Sequence, residues 1–181
     1  MNWRAKPLGV LLLAGCATMD GGSPQATAEL KNSRGEVVGS ASFWEDASGV
    51  RIVATVKGVP AGKHGFHIHS LGKCDPPDFV TAGPHFNPEG KKHGLRNSDG
   101  PHAADLPNLE IGADGTGRLK YVTKLITLGA GPASLFGAAG SALVLHANPD
   151  DDVTDPTGNS GSRIACGVVR RAWAAPGKTG Y

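Results

Sequence analysis

The sequence offers little that would cross a bilayer, fold as helices or hold nucleic acid. Its first apolar run, Leu8–Gly15, is eight residues long, against the roughly twenty that a membrane-spanning helix needs, and nothing after it reads as a span. No stretch carries a convincing amphipathic-helix pattern, which leaves strands to build the core. Neither sign of charge dominates: the formal net charge is +2. There is no basic stripe with interleaved aromatic residues, so nucleic-acid binding has no support. Cysteine is scarce, with Cys16, Cys74 and Cys166 only. None stands in a CxxC spacing, which makes a thiolate metal site a weak reading. No internal repeat is present.

What the chain does have is turns, with 27 glycines and 13 prolines separating short alternating segments. Val50, Ile52, Ala54 and Val56 alternate with Arg51, Val53, Thr55 and Lys57, the period of a half-buried strand. Thr27–Lys31, Val37–Trp44, Phe66–His69, Asn108–Ile111, Arg118–Thr123, Ala142–His146 and Arg163–Arg170 are the other candidate strands. The expectation is an all-β antiparallel chain.

Histidine is distributed very unevenly. Six of the seven lie between His64 and Asp105, and the seventh, His146, sits in the apolar run LVLHANPDD. Histidine is the commonest side-chain ligand of transition metals. In Phe66-His67-Ile68-His69, strand alternation puts His67 and His69 on one face, where both can reach one ion. His85, His93, His102 and Asp105 follow in segments rich in Gly, Pro, Asn and Asp. That composition is loop, and an ordered loop of this length needs something to hold it. An HxH pair alone is often a plain surface pair. Six histidines and an acid together point to a multi-histidine metal site on a β framework.

The segments GFHIHSLGKC, AGPHFNP, KKHG, GPHAADLPNLE, LVLHANPDD and GNSGSRIACGV, in this order, resemble the motif set of copper/zinc superoxide dismutases. The resemblance runs from about Ala26 to Val169. It implies an eight-stranded antiparallel Greek-key β-barrel, or sandwich, with long metal-binding and electrostatic loops. It implies copper on His67, His69, His85 and His146, and zinc on His85, His93, His102 and Asp105, with His85 shared between the metals. Four nitrogen donors suit a redox-active copper, and three histidines with a carboxylate suit a closed tetrahedral zinc site. By the same resemblance His64 is a structural residue that binds no metal. Asp150 falls where a carboxylate links a copper histidine to a zinc histidine, with Asp151 and Asp152 following directly and the register open by one residue. Arg163 matches the arginine that guides the anion. The segment 148–162 is shorter than the electrostatic loop of eukaryotic members and lacks its glutamate–lysine cluster, so Lys73, Lys91 and Lys92 are the other candidates for shaping the field. The implied activity is dismutation of superoxide to oxygen and hydrogen peroxide, with Arg163 and His85 as the catalytic residues. A non-catalytic copper- and zinc-binding envelope lipoprotein, storing or delivering metal, is the alternative. A structural β-domain held by zinc alone is a second one. Bacterial members pair through different surfaces or stay monomeric, so the sequence leaves a homodimer open.

The N-terminus reads as an export signal: Arg4 and Lys6, a short apolar run, then small residues. Leu13-Ala14-Gly15-Cys16 resembles a bacterial lipobox, in which Cys16 becomes the lipidated first residue. On this reading 1–15 is the signal peptide, 16–25 a tether, 26–169 the dismutase domain and 170–181 a solvated basic tail. The protein would stand lipid-anchored in the bacterial cell envelope, facing the periplasm or exterior. Ala17 after the lipid cysteine does not resemble an inner-membrane retention signal. Loss of Arg4 and Lys6 brings the net charge to zero, so attraction of an anion must come from a local field. With Cys16 assigned to lipid, an exported chain with Cys74 and Cys166 left most simply pairs them. That bridge spans 92 residues, worth about 4–5 kcal/mol by loop entropy.

Overall fold

The computed structural model describes residues 22–172. Ten strands follow in order: β1 (Ala26–Asn32), β2 (Val37–Asp46), β3 (Gly49–Val56), β4 (Gly62–His64), β5 (Phe66–His69), β6 (Leu109–Ile111), β7 (Gly117–Thr123), β8 (Ala142–His146), β9 (Arg163–Val168) and β10 (Arg170–Arg171). The one helical element among the described residues is a 3-10 turn, Val80–Ala82. No helix among them is long and apolar enough to cross a membrane. The alternation in β3 works as the sequence demands, with Val50, Ile52, Ala54 and Val56 buried and Thr55 exposed.

The strands form a single antiparallel sheet with neighbours in the order β4-β6-β7-β3-β2-β1-β9-β8-β5. Its two ends, β4 and β5, are separated in the chain by Gly65 alone, so the sheet curls into a nearly closed barrel. The pairings β1 with β9, β3 with β7 and β5 with β8 join strands distant in sequence, as a Greek key requires. Leu30, Phe43, Ile52, Phe66, Leu109 and Leu145 are fully buried inside it, each contributing about 1.5–3 kcal/mol by leaving water.

The two strands beyond the expected eight are short. β4 pairs with β6 from Gly62 to His64. Three residues are too few to show alternation, so sequence pattern could not reveal it. The run expected as Arg163–Arg170 is interrupted at Val169, whose N–H still donates to Ser141 O at 3.0 Å, in register with the Ala142–Val168 pair. Arg170–Arg171, expected as the start of a solvated tail, instead pair with Ala26 and Thr27 as β10, their side chains exposed. The rest of that tail, the signal segment and Cys16 lie outside the described residues. The end of the expected tether is tied down: Trp44 Nε1 donates to Gly22 O at 2.7 Å, and Gln25 N to Phe43 O at 2.9 Å.

β5 and β8 position the site. On both strands every residue is buried, although only one face of each can look into the barrel. Phe66, Ile68, Leu143 and Leu145 point inward to the core. His67, His69, Ala142, Val144 and His146 point outward, where the loop 70–108 covers them. Phe79 and Ala82 from that loop pack with Ala142, Val144 and Cys166 in a second apolar cluster. Cys74 and Cys166 are joined by a disulfide there, across 92 residues.

Candidate metal centre

The loop is stitched onto the free edge of β5 by its backbone. Phe86 N donates to Ile68 O at 2.9 Å, Ser70 N to Pro84 O at 2.9 Å, and Ile68 N to Ala104 O at 3.2 Å. These contacts place His85 beside His69 and Asp105 beside His67 as isolated bridge partners. Residues 16 and 38 positions along the chain from their partners in the HxH pair are thus delivered to its face by main-chain geometry.

The hydrogen bonds of each imidazole select the nitrogen it leaves free. His69 Nδ1 donates to Gly83 O at 2.8 Å and His146 Nδ1 to Gly161 O at 3.2 Å. Burial pushes His69 down to about 2 and His146 to about 4, so both rings are neutral and both Nε2 atoms carry bare lone pairs. Those two atoms stand 3.3 Å apart, an arrangement that repels unless a cation lies between them. His67 Nε2 donates to Asp150 Oδ2 at 2.6 Å, leaving Nδ1 unpartnered. His85, pushed down to about 4 by burial, has partners for neither nitrogen. The four donors of His67, His69, His85 and His146 all lie within 4.8 Å of one another.

The second cluster is tighter. Asp105 Oδ1 lies 3.4 Å from His85 Nδ1, 3.0 Å from His93 Nδ1 and 3.5 Å from His102 Nδ1. All four atoms are buried and none has a hydrogen-bond partner. Four ligands about 2.0–2.1 Å from one zinc stand about 3.3–3.4 Å apart in a tetrahedron. Three imidazole nitrogens converging on one carboxylate oxygen at that spacing fit a zinc, because buried polar groups otherwise find separate partners.

Asp150 couples the two clusters. Its carboxylate accepts from His67 Nε2 and, at 3.0 Å, from His93 Nε2, while Asp151 is occupied with Val153, Thr154 and Asn159. The carboxylate that touches both histidines is therefore Asp150. It fixes the tautomer of each ring, the service such partners perform in metal sites. Asn108 holds it from outside: Asn108 Nδ2 donates to Asp150 O at 2.8 Å, and Asp150 N to Asn108 Oδ1 at 2.7 Å. Gly158, at φ +61, lies against the same carboxylate, and any Cβ there would overlap it. Asp155 accepts from His93 N at 2.8 Å and pairs with Lys92 Nζ at 3.2 Å. Asn108 and Asp155 were not picked out by sequence, where one more Asn or Asp in a polar loop carries no distinguishing signal. The pairing with Asp155 also removes much of Lys92 from any field offered to an anion.

Arg163 is half-buried at the edge of the first cluster. Nη1 donates to Phe79 O and Nη2 to Gly83 O, each at 2.7 Å. Gly83 O also receives His69 Nδ1, so one carbonyl sets the spacing between the guanidinium and a histidine of the first cluster. Gly83 itself sits at φ +76 against Leu71 and Ser70, with no room for a side chain. The cavity that opens on His85 and His102 has Arg163 on its wall. His64 joins neither cluster: its ring nitrogens face His146 O at 2.8 Å and Pro60 O at 3.0 Å.

The family model described as copper/zinc superoxide dismutase (SODC) matches residues 37–169. The chain belongs to the copper/zinc superoxide dismutase family. Its relatives include "Superoxide dismutase [Cu-Zn] 2" of Aquifex aeolicus, 50% identical over 148 residues that cover 81% of this chain and 86% of that protein. The "Superoxide dismutase [Cu-Zn]" of Deinococcus radiodurans is 41% identical over 179 residues, covering 91% and 94%. Among solved structures, a SOD-like protein from Bacillus subtilis superimposes with a TM-score of 0.75 at 40% identity, covering 78% of this chain and 96% of that one. As a member of the copper/zinc superoxide dismutase family, the chain is an oxidoreductase that uses copper and zinc to dismutate superoxide.

His93 yields a prediction about loading. Burial works against its charge, but the carboxylates of Asp105 and Asp150 outweigh it and raise the ring to about 9 in the metal-free protein. Because the folded value is raised, the charged ring stabilises the metal-free fold fully below about 6.5, and that contribution fades as pH rises through about 9. Zinc held at Nδ1 would have to displace the extra proton. Titration of metal-free protein with zinc at pH 7 should therefore release about one proton, with affinity rising about tenfold per pH unit toward pH 9. Calorimetry in buffers of different ionisation enthalpy reads the proton count; no release at pH 7 would contradict the charged His93.

Proposed function

We propose that the first cluster holds the copper, through His67 Nδ1 and the Nε2 atoms of His69, His85 and His146. The second holds the zinc, through Nδ1 of His85, His93 and His102 and Oδ1 of Asp105. The convergence of orphaned buried donors carries this assignment. Bound copper supplies the alternating one-electron exchange that turns two superoxide anions and two protons into oxygen and hydrogen peroxide. Arg163 draws the anion into the cavity that it lines together with His85, and orients it there. His85 can take up and hand on a proton at Nε2 only while that nitrogen is free of copper, since its Nδ1 belongs to the zinc set and no protein group occupies Nε2. Asp150 keeps the rings of His67 and His93 from turning.

Metal analysis with a dismutation assay on the loaded protein tests the assignment. One copper and one zinc per chain with turnover is expected. Copper without turnover would mean storage or delivery, and zinc alone would mean a purely structural site.

The enzyme works in the bacterial envelope, anchored through lipid on Cys16 and facing the periplasm or exterior. The lipobox-like Leu13–Cys16 and the polar segment after it support this placement. Replacing Cys16 with Ser should leave an uncleaved precursor without lipid, seen by intact mass and by partition into detergent. A variant processed and fractionating like the wild type would remove the anchor.

A further inference from the structure

The outer faces of β3 and β7 carry Arg51, Arg118 and Lys120, and neither strand contains a carboxylate. Lys57 and Lys124, both exposed, extend the field at the strand ends. No ion pair engages any of these five among the described residues. Apolar groups are set among the cations. Trp44, Arg51 and Val122 are cross-strand neighbours on β2, β3 and β7. The Arg51 guanidinium lies 4.2 Å above the Trp44 ring, and Val122 is 43% exposed. Unpaired cations beside an aromatic ring and an exposed valine match the headgroup region of an anionic bilayer. In the ring of strands, β3 and β7 lie opposite β5 and β8, which carry the metal ligands.

We infer that this β3–β7 face rests on anionic phospholipid, leaving the metal centre turned away from the membrane. The start of the described chain supports the choice of partner. Gly22 is bonded to Trp44 at this face, and the six-residue step from Cys16 can span at most about 20 Å. The orientation rests on the lipid anchor proposed above; the affinity of the face for anionic lipid does not.

The test uses the chain from Ala17 onward, which contains the whole described barrel and carries no lipid, so failure of the anchor cannot disguise the outcome. Sedimentation with phosphatidylglycerol vesicles should bring it down at about 20 mM salt and release it at about 500 mM, with no binding to phosphatidylcholine. The triple variant Arg51→Gln, Arg118→Gln, Lys120→Gln should bind at least about tenfold more weakly. Its melting temperature should fall by no more than a few degrees, from loss of the Arg51–Trp44 contact, and its dismutation rate should match the wild type, since no ligand is touched. Wild-type protein that ignores phosphatidylglycerol, a variant that binds equally well, or capture by soluble dextran sulfate without capture by vesicles would each overturn the inference.

Discussion

Asp105→Ala is expected to strip zinc from the protein while leaving copper bound. The two oxygens of this carboxylate have separate duties. Oδ1 faces the Nδ1 atoms of His85, His93 and His102, and Oδ2 accepts from Gly94 N at 2.8 Å and His102 N at 3.0 Å. Those hydrogen bonds and the surrounding histidines outweigh burial and hold Asp105 well below the ordinary carboxylate range. Alanine removes a zinc donor, the negative charge that balances the cluster, and the acceptor for two buried N–H groups. Loss of one partner from a buried charged network costs about 3–5 kcal/mol, so the melting temperature should fall sharply even before metal is considered. His67, His69 and His146 remain on β5 and β8, whose positions do not depend on Asp105, so copper should still load. Asp105→Asn separates the duties. Its carbonyl oxygen can serve Gly94 and His102, while its amide presents N–H groups to the cluster and repels zinc. The asparagine variant should therefore recover most of the stability and little of the zinc. Metal analysis with thermal melts decides the matter; equal loss of both metals from a folded Asp105→Ala protein would contradict the separation into two sites.

Reversing the charge of Arg163 should produce the other large effect, this time on rate. If Arg4 and Lys6 leave with the expected signal segment, the chain has no net charge, and capture of superoxide then depends on local field. A unit charge about 5 Å from the anion is worth roughly 3 kcal/mol at an effective dielectric of 20, before salt screening. Arg163→Ile should lower kcat/KM on the order of tenfold with metals retained. Arg163→Glu should lower it further, because the anion then meets repulsion. Isoleucine also abandons the carbonyls of Phe79 and Gly83. Arg163→Lys, which keeps charge but loses the two-pronged grip, distinguishes field from loop order: it should retain more activity than Ile at low salt. Pulse radiolysis at low and high salt should show a weakened ionic-strength dependence for Ile and an inverted one for Glu. A fully metallated Arg163→Glu within about twofold of wild type at low salt would exclude Arg163 as the guide.

Within the described residues, short strand-like segments set between glycine- and proline-rich turns placed eight of the strands, with alternation plainest in β3. The clustering of histidine, and the order of the segments around it, identified the chemistry and the family. What sequence could not decide was long-range geometry. β4 and β10 are too short to have a pattern, and exist because a neighbouring edge offers unpaired backbone groups. Asp150, Asp151 and Asp152 are chemically identical in sequence; only the fold buries the first between His67 and His93. The nitrogen each histidine offers was likewise undetermined, since it depends on which carbonyl or carboxylate takes the other ring N–H. Asn108, Asp155 and the Gly83 carbonyl act on the site from positions that only tertiary packing brings near it. Sequence supplied the candidate ligands, through the clustering of histidine and the resemblance to a family; the tertiary structure decided register, tautomer and spacing, because these are set by hydrogen bonds between groups remote in the chain.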